Sequence, residues 1–182
     1  RFMKGSILAS LVLAFCVSFS SFAQNAGPQE RFLQRVASQP VSLDFEISQE
    51  GVAGIIARGS VLYYNNRYFI QSDVYRVYCD SVSKYTVDDY TQEACYEKID
   101  TTSRDLFTNP SLLFTALSSD VSYVFPEKKD IPTGAKYTDA SSGNTYIFVL
   151  SNVRFQEAVP SDDEFRPAEL GPKYVITDLR NE

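Results

Sequence analysis

The sequence predicts a mainly β domain of the α+β class, in which two short helices accompany one antiparallel sheet. Residues 41–48 alternate apolar and polar side chains, which is typical of a half-buried antiparallel strand. Short apolar segments then recur between residues 55 and 99, separated by glycine, asparagine and aspartate turns, which indicates a meander of hairpins. The chain has 182 residues, enough for one domain with a substantial core.

The first 23 residues have the layout of a secretory signal peptide. A lysine precedes the apolar run from Ile7 to Val17, which is too short to span a bilayer as a mature helix. Ser21 and Ala23 then occupy the small-residue positions before a signal-peptidase cut. We therefore expect cleavage after Ala23 and a single mature domain over residues 24–182.

Two other roles for this segment are an N-terminal membrane anchor and a lipid anchor on Cys16. A lipid-anchored cysteine follows a small residue, but Phe15 stands directly before Cys16. We therefore favour a soluble mature protein that starts at Gln24.

The mature region is predicted to begin with an amphipathic helix, Pro28 to Gln39, which ends before Pro40. A second short helix is expected from Pro110 to Leu117, with Asn109 as its N-cap and a leucine face. The strands that follow Val41 to Ser48 are expected at Ile55–Tyr64, Arg67–Gln71, Val74–Cys79, Ser83–Val87, Ala94–Ile99, Val121–Phe125, Asn144–Gln156 and Tyr174–Thr177.

Other segments between these elements are expected to be turns or loops. Asn65-Asn66 is a good hairpin corner, because asparagine tolerates the left-handed backbone that tight turns require. Residues 126–134 are expected to form a polar loop, and the acidic run 162–164 a solvated one. Strand Asn144–Gln156 is apolar on both faces, which predicts that both faces are covered.

The charge balance argues against nucleic acid as a partner. The whole chain carries a net charge of −6, and the only charged residues before Gln24 are Arg1 and Lys4. Cleavage after Ala23 would leave 15 basic and 23 acidic residues, a net charge of −8. Such a chain repels phosphate backbones and anionic lipid surfaces.

Cys79 and Cys95 remain after the predicted cut, in a compartment that permits disulfides. A meander places them on strands separated by a third strand, roughly 9–10 Å apart. That separation exceeds the reach of a disulfide, so we expect both thiols to be unpaired.

The sequence lacks the residues and motifs of common catalytic sites. It contains no histidine, which removes the most frequent general base and metal ligand. It has no glycine-rich phosphate loop, no nucleophile elbow and no CxxC pair. We therefore expect no enzymatic activity, no cofactor and no metal. Most of the 12 tyrosines and 13 phenylalanines are expected to fill the core, but so much apolar surface in a small domain also suggests a cavity for an apolar ligand.

Four short segments follow one another along the chain: RGSVLYY (Arg58–Tyr64), YCDSVSKYTVDD (Tyr78–Asp89), NPSLLF (Asn109–Phe114) and YVITDLR (Tyr174–Arg180). Their order and spacing, together with the order of the predicted elements, resemble those of the LolA-type outer-membrane lipoprotein carriers. Asp80 matches the aspartate of that family's Asp-Gly-x-x-x-Trp hairpin, and Tyr85 takes the tryptophan position. Asn65-Asn66 stands where better-studied members have Arg-Pro.

The resemblance implies an incomplete, strongly curved antiparallel β-barrel whose open side is closed by the helices. It also implies a monomeric periplasmic carrier that receives lipoprotein acyl chains from an inner-membrane release transporter and delivers them to an outer-membrane acceptor. With inward positions assigned by strand alternation, the expected cavity residues are Phe45, Ile47, Val61, Tyr63, Phe69, Tyr85, Leu113, Leu117, Phe148 and Leu150. The alternative is an exported structural or adhesive β-domain with a filled core and no ligand.

Overall fold

The computed structural model describes residues 26–115 and 120–181. The predicted signal peptide, its cut after Ala23, and Leu117 therefore lie outside the described residues. Helix α1 spans Pro28–Ser38. The strands are β1 (Val41–Gln49), β2 (Ala57–Tyr64), β3 (Arg67–Ser72), β4 (Arg76–Cys79), β5 (Ser83–Asp88), β6 (Glu93–Lys98), β7 (Val121–Val124), β8 (Gly134–Thr138), β9 (Thr145–Phe155) and β10 (Val175–Asp178).

The ten strands form one curved, open sheet in the order β10-β6-β5-β4-β3-β2-β1-β9-β8-β7. Neighbours are antiparallel except for β10, which pairs parallel with β6. The central meander from β1 to β6 and the mainly β fold class are confirmed. At the β2–β3 corner, Asn65 and Asn66 both adopt positive φ angles, 51° and 62°, as a two-residue hairpin turn requires.

One face of the sheet, here called the inner face, carries the main core. In β1, Val41 and Leu43 are almost fully buried and pair with Tyr63 and Val61 of β2. Gly59 lies in the same inward series, and a side chain there would collide with the backbone of Gln71 on β3. Glycine thus permits the close approach of β2 and β3 where the sheet curves.

Helix α1 packs its apolar stripe against the inner face beside β7 and β9. Phe32 and Val36 are each 1% exposed, and the Phe32 ring meets those of Tyr123 and Phe155 edge to face. Within residues 26–115 and 120–181, no helix has the length and apolar character that crossing a membrane requires.

Residues 101–115, here called the cover, cross the inner face of the central strands. They contain the 3-10 helix Pro110–Phe114, where a short helix reaching Leu117 was predicted. Asn109 is the N-cap residue, as predicted, but its side chain makes no capping hydrogen bond. Pro110 still opens the helical turn, as the sequence indicated.

Strand β9 differs from its prediction because it contains a bulge. Asn152 has a positive φ of 50°, and the β1–β9 register shifts between Ser42 and Asp44. The extra residue turns Phe155 to the inner face, where it pairs with Val41. The prediction that both faces of this strand are covered is therefore wrong, and Val149 is 53% exposed on the outer face.

Two further segments differ from the predicted loops. Residues Gly134–Thr138 form β8 between β7 and β9, although this segment was expected to begin within a polar loop. The acidic run lies in the 3-10 helix Asp162–Phe165, whose N-terminal end is capped by Ser161 and Glu164 in a capping box. Asp162 forms an ion pair with Arg67, and Phe165 is fully buried.

The opposite, outer face of β3–β6 carries a second apolar cluster that the sequence did not predict. Tyr78, Tyr85, Val87 and Ala94 are buried there. Leu170 and Tyr174, from the segment before β10, pack against this cluster, and the Arg180 guanidinium lies 5.7 Å from the centre of the Tyr85 ring. This cluster accounts for much of the aromatic content that had suggested a cavity.

Candidate functional site

An apolar cavity of about 400 Å³ lies between the inner face of the sheet and the cover. This volume falls within the range of small-molecule sites. Most of its lining side chains are aliphatic or aromatic, and Lys84 is the only charged one among the lining residues that the structure describes. The lining residues are Phe45, Ile47, Ala57, Val61, Tyr68, Ile70, Tyr75, Val77, Lys84, Thr86, Leu106, Phe107, Pro110, Leu113, Phe114 and Phe148.

The strand register arranges the floor of the cavity in rows. Val61 pairs with Ile70, Ile70 with Val77, and Val77 with Thr86, so these four side chains cross four strands at one level. The adjacent row, two residues along each strand, runs through Tyr63, Tyr68, Cys79 and Lys84, of which Tyr68 and Lys84 line the cavity. The rows therefore lie about 7 Å apart along the strands.

The cover forms the opposite wall of the cavity with three buried side chains. Leu106, Leu113 and Phe114 are 4%, 8% and 5% exposed. The Phe114 ring stacks on Tyr63 of β2, with 4.4 Å between the ring centroids. The cover is thus fixed to the sheet by packing of an aromatic ring as well as by its leucines.

Two tyrosine hydroxyls also hold the cover. Tyr137 on β8 accepts a hydrogen bond from the Leu106 N–H and donates one to the Arg104 carbonyl, each 3.2 Å long. Tyr123 on β7 donates to the Leu113 carbonyl. Burial raises the pKa of both hydroxyls, so that both remain protonated donors over the physiological pH range.

The cavity reaches solvent between the β3–β4 turn and the cover. Among the lining residues, Tyr75 in that turn and Phe107 in the cover are the most exposed aromatic side chains, at 45% and 49%. Tyr68, one row deeper than Ile70, is fully buried. The row formed by Val61, Ile70, Val77 and Thr86 therefore lies between this more exposed side of the cavity and the Lys84 row.

The structure brings five of the predicted site residues together on the cavity wall: Phe45, Ile47, Val61, Leu113 and Phe148. Tyr63 and Leu150 are buried in the same core without lining the cavity. Tyr63 instead lines a neighbouring, more polar cleft between helix α1 and the Asn65-Asn66 turn. Leu117 lies outside the described residues.

Phe69 and Tyr85 do not face the cavity, and their assignment to it was wrong. On β3 the inward residues are Tyr68 and Ile70, so Phe69 between them lies on the outer face. On β5 the inward residues are Lys84 and Thr86, so Tyr85 also lies on the outer face. Tyr85 instead donates a hydrogen bond to the Asp80 carboxylate, 3.1 Å away. The Asp80–Tyr85 pair suggested by the family resemblance is therefore a turn contact rather than part of the cavity.

The lining residues that the sequence did not predict come mainly from β3–β5 and from the start of the cover. Ile70 and Val77 would have followed from the pairing of β3 with β2, had the phase of β3 been known. Thr86 and Lys84 are polar and gave no signal of an apolar wall. Leu106 and Phe107 stand outside any regular pattern, in turns that aspartate side chains organise.

Lys84 forms an ion pair at the edge of the cavity. Its Nζ lies 2.9 Å from Glu97 Oε1 on β6, and it also donates a 3.4 Å hydrogen bond to the Thr108 carbonyl of the cover. The Lys84 side chain is 14% exposed and that of Glu97 is 38% exposed. The lysine is thus held at the cavity wall, whereas the glutamate is in contact with water.

The two thiols, Cys79 on β4 and Cys95 on β6, are unpaired. Strand β5 lies between them, as the meander predicted. Burial raises the pKa of both thiols, which lowers their reactivity. Among the residues that the structure describes, no three His, Cys, Asp or Glu side chains come close enough together to hold a metal ion.

Comparisons with known proteins give little beyond this geometry. No protein-family model matches the sequence, and no curated protein matches it. Among solved structures, the chain is similar to a LolA superfamily protein from Nitrosomonas europaea, with a TM-score of 0.28 and 11% sequence identity. The alignment covers 78% of this chain and 99% of that one. The description of fold and site therefore depends on this chain's own strand order, register and burial.

Proposed function

We propose that this protein is an exported carrier that holds acyl chains of lipoproteins in the cavity beneath the cover. The observation that supports this proposal best is the lining of that cavity, in which aliphatic and aromatic side chains predominate and, within the described part of the chain, Lys84 carries the only charge. A mostly apolar pocket with a few polar groups is typical of a site for an apolar ligand.

The physical task of such a carrier is to remove the cost of exposing hydrocarbon to water. Burial of one methylene group is worth about 0.8 kcal/mol, so a chain of about 15 methylenes carries a barrier of about 12 kcal/mol in water. An apolar cavity offsets that barrier while the cargo crosses an aqueous compartment. Release then requires an acceptor that offers the acyl chain a better apolar site.

Loading requires that the cover moves. Its contacts with the sheet are local ones, namely the Tyr63–Phe114 stack, the hydroxyl groups of Tyr123 and Tyr137, and buried leucines. None of the described cover residues belongs to a strand of the sheet. The cover can therefore separate from the inner face without breaking the strand ladder, and the acyl chain would replace Leu113 and Phe114 against the floor.

The cellular setting belongs to the same proposal. The signal-peptide layout of residues 1–23 supports export, and the resemblance supports a periplasmic route between two membranes. On this route an inner-membrane transporter loads the carrier and an outer-membrane acceptor unloads it. We propose no covalent chemistry, since the sequence contains no histidine to act as a general base.

Leu113→Glu tests the carrier role against that of a domain with a permanently filled core. In a carrier the open cover places position 113 near water, so the variant should fold and lose at least about tenfold in acyl affinity. In a permanently filled core, the same charge should unfold the domain. Val82→Glu is the matched control, because Val82 is 67% exposed and lies outside the cavity.

The measurement is displacement of a neutral fluorescent naphthylamine dye by fatty-acid esters, with circular dichroism to follow folding. Lipid extraction and native mass spectrometry of protein purified from its own host would identify the cargo. A parent protein that is folded and binds neither dye nor acyl compound in any condition would overturn the carrier proposal. An unfolded Leu113→Glu variant beside a folded Val82→Glu variant would support a filled core instead.

A further inference from the structure

The polar end of the cavity has more hydrogen-bond donors than acceptors. The Lys84 ammonium has three donors, of which one serves Glu97 and one makes the long 3.4 Å bond to the Thr108 carbonyl. The Tyr68 hydroxyl is fully buried and has no hydrogen-bond partner among the described residues. Among the described residues, a third N–H of Lys84 therefore has no acceptor, and the Tyr68 O–H has only the weakly accepting Cys79 thiol beside it.

These two donors belong to the same part of the cavity. Tyr68 on β3 and Lys84 on β5 flank Cys79 in one row of the sheet, and both line the cavity. The environment of Tyr68 reflects this placement, since burial, Cys79 and Glu97 all raise its pKa. This row lies next to the row formed by Val61, Ile70, Val77 and Thr86.

An unpaired donor in an apolar site costs free energy, which an acceptor on a ligand would recover. The charge at this end is already balanced, because Glu97 neutralises Lys84. A carboxylate would add an uncompensated negative charge to a half-buried pair, whereas an uncharged carbonyl oxygen would not. The most favourable ligand group is thus an acceptor that carries no charge.

We propose that the Lys84–Tyr68 end of the cavity binds the carbonyl oxygen of an ester- or amide-linked acyl chain. The hydrocarbon tail then lies along the apolar rows, and the linked head group leaves toward Glu97, whose side chain is in contact with water. Fatty esters and amides are therefore preferred over hydrocarbons and over free fatty acids. This assignment rests on the proposed carrier function and specifies its ligand class.

The test compares methyl laurate, laurate and dodecane as competitors of the neutral dye, on folded parent and variant proteins. The parent should bind methyl laurate about tenfold more tightly than dodecane, as expected for a hydrogen bond from a charged donor. Lys84→Met should abolish this preference and leave dodecane affinity unchanged. Tyr68→Phe should weaken the ester by about threefold.

Two further variants make the result specific. Lys98→Met removes the same charge from an exposed position on β6 and should change none of the three affinities. Glu97→Gln leaves the Lys84 charge uncompensated, so it should strengthen laurate binding by about tenfold and leave methyl laurate unchanged. Circular dichroism and melting temperature establish that each variant is folded.

The outcomes separate this inference from the carrier proposal. If the parent binds dye and dodecane but does not prefer the ester, the carrier proposal stands and the head-group site is wrong. Equal weakening of all three ligands by Lys84→Met would show that Lys84 acts only on the fold. Preference for laurate in the parent would show that the site takes an anion. If the folded parent binds no ligand, both proposals fail together.

Discussion

Tyr63 and Phe114 stack with 4.4 Å between their ring centroids and 21° between their planes, and so join β2 to the cover. The turn after β2 fixes the Tyr63 ring, because its hydroxyl donates a 3.1 Å hydrogen bond to Asn66 Oδ1. The backbone N–H of Asn66 donates back to the same hydroxyl. The Asn65-Asn66 corner is therefore linked to the cover through a single aromatic side chain.

Phe114→Ala should destabilise the protein by about 3 kcal/mol, because it removes a buried ring and its stacking contact with Tyr63. The effect should be largest in the cover, which loses one of its few attachments. Hydrogen exchange of residues 101–115 should rise more than that of β1–β3. Phe107→Ala, at a side chain that is 49% exposed, is the control and should cost far less. A uniform rise in exchange across the sheet would contradict this role.

The thiols of Cys79 and Cys95 should both be free in the mature protein. Denatured, unreduced protein should take up alkylating reagent at two positions. In the native state Cys95 should react before the fully buried Cys79, and both rates should rise with pH through raised thiol pKa values. Denatured protein that takes up no label would contradict the assigned order of β4, β5 and β6.

Asp80→Asn should weaken the β4–β5 turn. Burial acts to raise the pKa of Asp80, but the N–H groups of Ser83 and Val82, together with Arg166 and Tyr85, outweigh it and lower that pKa. The aspartate therefore contributes stability above its unfolded pKa, near pH 4, and loses it as pH falls through the lower folded value.

At neutral pH the variant should be less stable by on the order of 2 kcal/mol, the scale of hydrogen bonds to a charged group. Urea unfolding followed from pH 7 to pH 2 should show the difference shrinking below pH 4. Asp73→Asn, in the exposed β3–β4 turn, is the control and should leave the pH profile unchanged. A constant difference at every pH would mean that the charge of Asp80 is not involved.

The exported protein should begin at Gln24. The basis for this prediction is the apolar run that ends in Ser-Phe-Ala, together with the absence of a small residue before Cys16. Intact-mass measurement of protein from the host would find an unmodified chain that lacks the first 23 residues. A chain that starts at Cys16 and carries the mass of acyl groups would contradict a soluble carrier.

Alternation predicted β1 well, because only its inner face is apolar, but it failed to set the phase of β3 and β5. In β3, Tyr68, Phe69 and Ile70 are consecutive large apolar residues, so either phase appears buried. In β5, Tyr85 is buried on the outer face, while Lys84 and Thr86 line the cavity. A second core on the opposite face removes the contrast between apolar and polar faces on which the method depends.

Strand β8 and the lining residues of the cover could not be predicted from the sequence, for different reasons. The segment Gly134-Ala135-Lys136-Tyr137-Thr138 has two small residues and follows a proline-rich stretch, so its strand character comes from pairing with β7 and β9. The lining residues of the cover lie in irregular structure, which has no period to detect. Their positions follow only from the sheet against which they pack.

The parallel strand β10 affects whether copies of this protein associate with one another. All four of its residues are exposed, yet its backbone occupies one side of β6, with hydrogen bonds such as that from Leu179 N–H to the Tyr96 carbonyl, 2.7 Å long. Without it, the edge of β6 would present unpaired N–H and C=O groups to other copies of the chain. A protein truncated before Val175 should therefore aggregate in a concentration-dependent manner through edge-to-edge strand pairing.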